Sequence, residues 1–226
     1  MIRGISSMAT KALLAELTAA YAERSGVAAQ IESVGGVDAA KRVAAGEAFD
    51  VVVLAADAID KLVASGHLVA DSKSAVVRSG VAVAVRAGAP RPDLSSEASV
   101  KQAVLRAPTL GYSTGPSGVA LARLFERWGI AQEIAPRIVQ APPGVPVGAL
   151  VARGDVALGF QQLSELMHLE GIDVVGALPT AIQIETTFSA AICTASAQPD
   201  AVRALLAFLS SPGTAPTKQR HGMEPA

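Results

Sequence analysis

The chain has 226 residues, of which 50% are hydrophobic, 17% charged and only 4% aromatic. That length suits one large domain or two lobes of about 100 residues each. Lys and Arg number 19 against 20 Asp and Glu, a net charge of −1. This excludes the clustered cations with which a duplex binder replaces phosphate counterions.

The scarcity of aromatics argues against single-stranded nucleic acid and against a sugar stacked on rings. The longest run without a charge is the 16 residues between Arg106 and Arg123, and Pro108, Gly111, Gly115, Pro116 and Gly118 interrupt it. It cannot be a spanning helix of ~20 apolar residues. Cys193 is the one cysteine, so there is no internal disulfide. Its surroundings, AAICTAS, read as a buried strand around an inert core thiol. His67, His168 and His221 stand far apart, at no metal-ligand spacing, and no metal or cofactor is expected. Residues 1–4 lead straight into structured-looking sequence, without the apolar stretch of a secretory signal.

In chain order, helical and strand patterns alternate. Residues 2–5 form a short strand, and Ser6 or Ser7 stands where a helix N-cap belongs. Leu13, Leu17 and Tyr21 share one face of the helix that follows, and Gly26 stops it. A strand at 27–34 precedes a short helix at 39–45, capped by Asp38 and ended by Gly46. The apolar run 49–54 reads as a parallel strand buried on both faces. A helix at 58–65 ends at Gly66. Next come a strand at 80–86, a stiff turn at 89–92, a helix at 96–106 and a strand at 109–113. A Gly/Pro/Ser loop leads to a helix at 119–128, closed by Gly129. Residues 134–140 read as extended, and 142–146 open a helix that runs to 152. A strand at 155–160, a helix at 163–169, strands at 173–176 and 187–194 and a helix at 200–209 complete the pattern. The residues after Pro212 read as a short helix before a loose tail. Alternation of this kind predicts an α/β fold with mixed, mainly parallel sheets.

In such sheets, ligands bind where strand carboxyl ends meet helix amino ends. Three junctions there are rich in small polar residues. They centre on Ser6 and Ser7, on Gly35 and Gly36, and on Ser113, Thr114 and Ser117. Free amides at a helix start carry partial positive charge, hydroxyls add neutral donors, and glycine admits close approach. The set suits an oxyanion or carboxylate held without a fixed cation. Simple capping is the competing reading of each junction. Gln161 and Gln162 follow the apolar strand at 155–160 and offer paired amides, or only a solvated helix start. Arg78, just before the strand at 80–86, offers a bidentate partner for a carboxylate, or is a surface Arg. No P-loop, GxGxxG or GxSxG motif is present.

These segments in order carry a resemblance: ISSMA at 5–9, AAKRVAAG at 39–46 followed by Phe49, Asp50 and Val51, GPSG at 115–118, and LVARGDVALG at 150–159. The chain resembles type II periplasmic solute-binding proteins over nearly its whole length, and within them the molybdate-binding branch. The resemblance implies two lobes, 1–79 with 187–226 and 80–186, crossed at 78–80 and 185–187. It also implies a ligand in a cleft between the lobes, with hinge closure. On that pattern the first-loop serine is Ser6 or Ser7, and the second-loop serine is replaced by Gly36. A backbone site falls on Ser117, another near Gly144, and the donating tyrosine is replaced by Gln162. Loss of a serine and the tyrosine, with gain of Ser117, Gln161 and Arg78, points away from a tetrahedral oxyanion and towards a di- or tricarboxylate.

The implied function is capture of a small anion by a monomer for an ABC-type transporter, with a membrane permease as partner and a periplasmic location. Without a signal sequence, the alternative location is cytoplasmic. The alternative function is that of aconitate isomerase, which is similar to molybdate-binding proteins and shifts a proton across an allylic tricarboxylate. That chemistry needs a base, and no His or isolated carboxylate in the sequence maps clearly to the site.

Overall fold

The computed structural model describes residues 1–142 and 144–226. The chain divides into two compact units, Met1–Ser79 with Thr186–Ala226, and Gly80–Glu185.

The first unit opens with β1 (Ile2–Ser7), α1 (Lys11–Ser25), β2 (Ala29–Val34), α2 (Gly36–Ala44), β3 (Val51–Ala55) and α3 (Ala56–Ala64). β4 (Ser74–Arg86) runs on from this unit into the second. β1 pairs in parallel with both β2 and β3. Every residue of β3 is buried, because both faces of the sheet are covered. On one face α1 contributes Leu13, Leu14, Leu17 and Tyr21 around Ile2, Val51 and Val53. On the other, Ala39 and Val43 of α2 and Ile59 and Leu62 of α3 pack on Ile5, Val52 and Leu54. Gly26 closes α1 in the left-handed conformation at φ 73°, which only glycine adopts freely.

The second unit continues with α4 (Glu97–Arg106), β5 (Leu110–Ser113), α5 (Pro116–Arg127), α6 (Ala131–Ile134), β6 (Ile138–Ala141), α7 (Val147–Arg153), β7 (Leu158–Gln162), α8 (Leu163–Leu166) and β8 (Ile172–Ala177). β5 pairs in parallel with β6 and β7, and β4 runs antiparallel to β7 and β8. One face packs on α4 and α5 through Val100, Val104, Leu121 and Phe125. The other packs on α7 through Val147, Leu150 and Val151. The chain then returns to the first unit as β9 (Glu185–Ile192), antiparallel to β3, followed by α9 (Pro199–Leu209), α10 (Ala215–Arg220) and β10 (Glu224–Pro225). Val202, Leu205, Leu206 and Leu209 of α9 complete the α1 face.

The structure corrects several boundaries. Asp38 lies inside the first turn of α2, and Gly35 holds the N-cap position. α5 starts at Pro116, three residues before the expected point, because proline's fixed φ suits the first helical position. Residues 134–140 are not extended throughout: α6 ends at Ile134 and a 3-10 turn, Ala135–Arg137, precedes β6. Pro143, in the segment expected to open a helix, lies outside the described residues. β7 runs to Gln162, so the paired glutamines end the strand and do not follow it. The terminus is not loose, since β10 pairs with Val77 and Arg78 of β4. Cys193 is a buried free thiol, pushed up to about 12 by burial and then by Asp50. No helix among the described residues is long and apolar enough to cross a membrane.

Lys218 on α10 is 2% exposed. Burial holds its ammonium below the ordinary lysine range. A depressed lysine pKa means that the unfolded chain binds the proton more tightly, so stability rises with pH between the folded and unfolded values. At neutral pH the full cost of the buried cation is present. Lys218→Met is therefore expected to raise the stability of the protein by about 1 kcal/mol at neutral pH. The gain, read by denaturant unfolding, should shrink as pH approaches the ordinary lysine range.

Candidate functional site

In the first unit the parallel strands end at a row of small polar residues. Ser6 is fully buried, and its hydroxyl shares a hydrogen bond with Ser33 Oγ at 2.8 Å and donates to the Ser7 carbonyl. It ties β1 to β2. Ser7 differs. It is 8% exposed, precedes the first helical turn without capping it, and its buried Oγ has no hydrogen-bond partner. An unpaired buried hydroxyl costs about 1–3 kcal/mol, which a ligand oxygen would recover.

Ser6 lies beside Val53, so Ser7 lies beside Leu54, and Leu54 faces Ser189 across the antiparallel pair with β9. Alternation along the strands puts Ser7, Leu54 and Ser189 on the face covered by α2 and α3. Ser189 is 1% exposed, and its Oγ is also buried without a partner. Two orphan hydroxyls thus flank Leu54. Over them sits the start of α2. A Cβ on Gly36 would stand 3.5 Å from Ser7 Cβ and 3.9 Å from Leu54 Cδ2. The first amides of α2, beginning after Gly35, stand over this row with no side-chain cap on them. Sequence reasoning missed Ser189. The signal available was one hydroxyl within an otherwise apolar strand interior, FSAAI.

In the second unit, the segments after β5, β6 and β7 leave the same end of the parallel trio, in the spatial order β7, β5, β6. Ser113 Oγ accepts from Gly115 N–H at 3.3 Å and shapes the first turn of that loop. Thr114 is exposed. Ser117 is buried in the first turn of α5, where no side chain caps the helix. Gly118 is obligatory. A Cβ there would fall onto the Ser113 carbonyl and press on the Tyr112 ring. Its absence lets α5 start against the end of β5.

Gln161 and Gln162 are both buried. Gln161 faces α7: its Oε1 accepts from Val147 N–H at 2.8 Å and Gly148 N–H at 3.4 Å. The amino end of α7, expected to offer backbone donors near Gly144, is therefore capped from within. Gly144 is exposed in the loop before it, at φ 77°. Gln161 Nε2 donates to Glu165 Oε1 at 2.8 Å. Its carbonyl and one amide hydrogen are thus committed inside the unit. Gln162 ends β7 opposite Val81. Arg78 is exposed on β4, in register with Glu224, between buried Val77 and Ser79. Strand alternation turns it away from that buried face.

Glu165, on α8, answers the missing carboxylate of the sequence reading. It is half-buried, and burial pushes its carboxyl up to about 7, with the Gln161 hydrogen bond pulling the other way. Among the described residues no three His, Cys, Asp or Glu side chains group as metal ligands. The first unit thus holds unpaired hydroxyls beside uncapped helix amides, and the second a carboxyl raised by burial to about 7.

Two substitutions separate the hydrogen-bonded serine from the unpaired one. Ser6→Ala should cost about 1 kcal/mol of stability through the lost bond to Ser33. Ser7→Ala should leave stability unchanged or slightly raised and weaken anion binding. Gly118→Ala should destabilise by about 3 kcal/mol or prevent folding, since backbone must move. Thermal and denaturant unfolding read all three.

Comparison with known proteins adds three findings. The family described as bacterial extracellular solute-binding protein matches residues 2–224. An aconitate isomerase from Pseudomonas sp is 40% identical over 227 aligned residues, covering 98% of this chain and 86% of that protein. Among solved structures, the periplasmic molybdate-binding protein of Azotobacter vinelandii superposes with TM-score 0.81 at 18% identity, covering 99% and 98% of the two chains. The sulfate-binding protein of Mycobacterium tuberculosis superposes with TM-score 0.80 at 16% identity, covering 100% and 86%. At these identities the structural likeness establishes the fold, which is that of the periplasmic binding proteins.

Proposed function

Starting from a chain that belongs to the bacterial extracellular solute-binding protein family, we propose that it binds a small unsaturated tricarboxylate and shifts a proton within it, as an aconitate isomerase. One observation carries this reading: the 40% identity to such an enzyme across 98% of the chain. The site chemistry supports it. Within the first unit Ser7, Ser189 and the uncapped start of α2 suit carboxylate oxygens as neutral donors, and within the second Ser117 and the uncapped start of α5 do so independently. The resemblance to molybdate binders puts a serine at Gly36 and a tyrosine at Gln162, and the loss of both donors supports a ligand other than a tetrahedral oxyanion. The reaction moves one proton between two carbons and shifts a double bond. It needs no redox partner and no cofactor.

The family match across 2–224 favours a second reading. In it the protein captures a small anion outside the cytoplasm, as a monomer, and delivers it to an ABC-type permease without chemistry.

The two readings separate in one experiment. The purified protein is incubated with trans-aconitate and followed by proton NMR, beside a thermal-shift panel of molybdate, tungstate, sulfate, citrate and both aconitates. Conversion to the cis isomer is expected. Stabilisation by aconitates without conversion would establish the second reading. Stabilisation by molybdate or sulfate alone would overturn a tricarboxylate ligand altogether.

A further inference from the structure

We propose that Glu165 is the group that takes and returns the substrate proton, and that Gln161 is its positioning residue. The inference rests on the isomerase reading and names the base which that reading requires.

The geometry comes first. α8 follows β7 directly, so Glu165 stands three residues past the carboxyl end of that strand. β5 runs parallel beside β7, with Leu110 and Gly111 level with Leu158 and Gly159. Continuing that register puts Ser113 level with Gln161. The loop carrying Ser113 and Ser117 and the turn carrying Glu165 therefore occupy the same end of the same sheet. Gln161 fixes the carboxyl from below: one end of its amide is anchored on the α7 amides and the other donates to Glu165 Oε1. Among the described residues no hydrogen bond goes to Oε2, and the residue keeps some exposure to solvent.

The electrostatics agree. α8 packs on β7 and α7. β7 carries no charge, and the one charged residue of α7, Arg153, lies at its far end bonded to Asp155. Leu166 of α8 also packs on β4 and against β8 residues. The charged residues of those strands are Arg78, exposed on β4, Arg86 at the β4 terminus, and Asp173 on β8, which binds Gly88 N–H and Arg91. His168 and Glu170 follow α8 and are exposed. No ion pair to Glu165 forms among the described residues, and burial alone raises its carboxyl to about 7. A base near the working pH is the efficient one.

The step balances within the substrate. A Glu165 carboxylate oxygen removes a proton from the saturated carbon next to the double bond. The C–H electron pair becomes the new double bond, and the pair of the old one receives the proton back from Glu165 at the distal carbon. The carboxylate is regenerated, and nothing is oxidised or reduced.

The test compares wild type, Glu165→Gln and Glu165→Asp. Gln keeps an acceptor oxygen for Gln161, so the α7 cap and the melting temperature should survive. Glu165→Gln is expected to keep the thermal shift with aconitate while kcat falls by about 10²–10⁴-fold. Glu165→Asp should retain part of the activity. Wild-type kcat/KM should rise as pH passes upward through about 7, because the free base must be ionised. Wild-type turnover with Glu165→Gln within about threefold of it, or with a flat pH profile, would overturn Glu165 alone. Absence of turnover in wild type would overturn the isomerase reading and the base together. If Glu165→Gln does not fold, the Glu165→Asp activity and the wild-type pH profile decide.

Discussion

The constraint on which the rest depends is burial of the parallel strands on both faces. A strand such as β3, with no exposed residue, has no place for a polar side chain along its length. Polar groups enter most readily at strand ends, where water or a ligand can reach them. This is why Ser7, Ser113, Gln161 and Gln162 all stand at the carboxyl ends of β1, β5 and β7. Ser189 departs from this: it stands inside β9, opposite Leu54, one residue short of the carboxyl end of β3. Helices begin at these ends as well, and they bring their unpaired amides with them.

From this follows the way an anion would be held. At these strand ends hydroxyls and amides are the donors. A basic cluster would bind anions of many shapes through long-range attraction. Short neutral donors act only within hydrogen-bond distance and along defined directions, so they select by geometry. The two units use different means to set them out. In the first, the uncapped start of α2 stands directly over Ser7. In the second, Gly118 lets α5 abut β5, and Gln161 takes the α7 amides out of service.

The sequence made the α/β alternation and the polar junctions legible because both are local. Apolar runs, glycine stops and the Ser96 cap, whose side chain accepts from Ser99 N–H, announce themselves within a few residues. What stayed hidden depends on register. Nothing local tells Ser6 from Ser7, because the difference is which of two sheet faces each one meets and whether Ser33 is opposite. Gln161 looked available for the same reason: its partners, Val147 and Gly148, are 14 and 13 residues away. Arg78 looked like a free guanidinium before a strand, but β4 begins at Ser74 and strand alternation sets its direction. Glu165 was invisible as a base because a glutamate in a first helical turn is ordinary. Its altered acidity comes from burial created by the fold.

That altered acidity bears on the choice between binder and enzyme. For a protein that only captures an anion, an ionisable carboxyl at the binding end of the sheet is a liability. A carboxylate about 5 Å from a ligand charge costs about 3 kcal/mol at an effective dielectric of about 20. Affinity would then fall across the neutral range as Glu165 ionises. An amide or hydroxyl at that position would bind better at every pH. The carboxyl becomes useful only if its proton is used. The burial that weakens its acidity, against the opposing hydrogen bond from Gln161, leaves a carboxyl at about 7. A proton shift between two carbons of one substrate requires such a group, since it must accept and release the same proton within a turnover. On a fold otherwise suited to capture, this residue is the physical argument for chemistry.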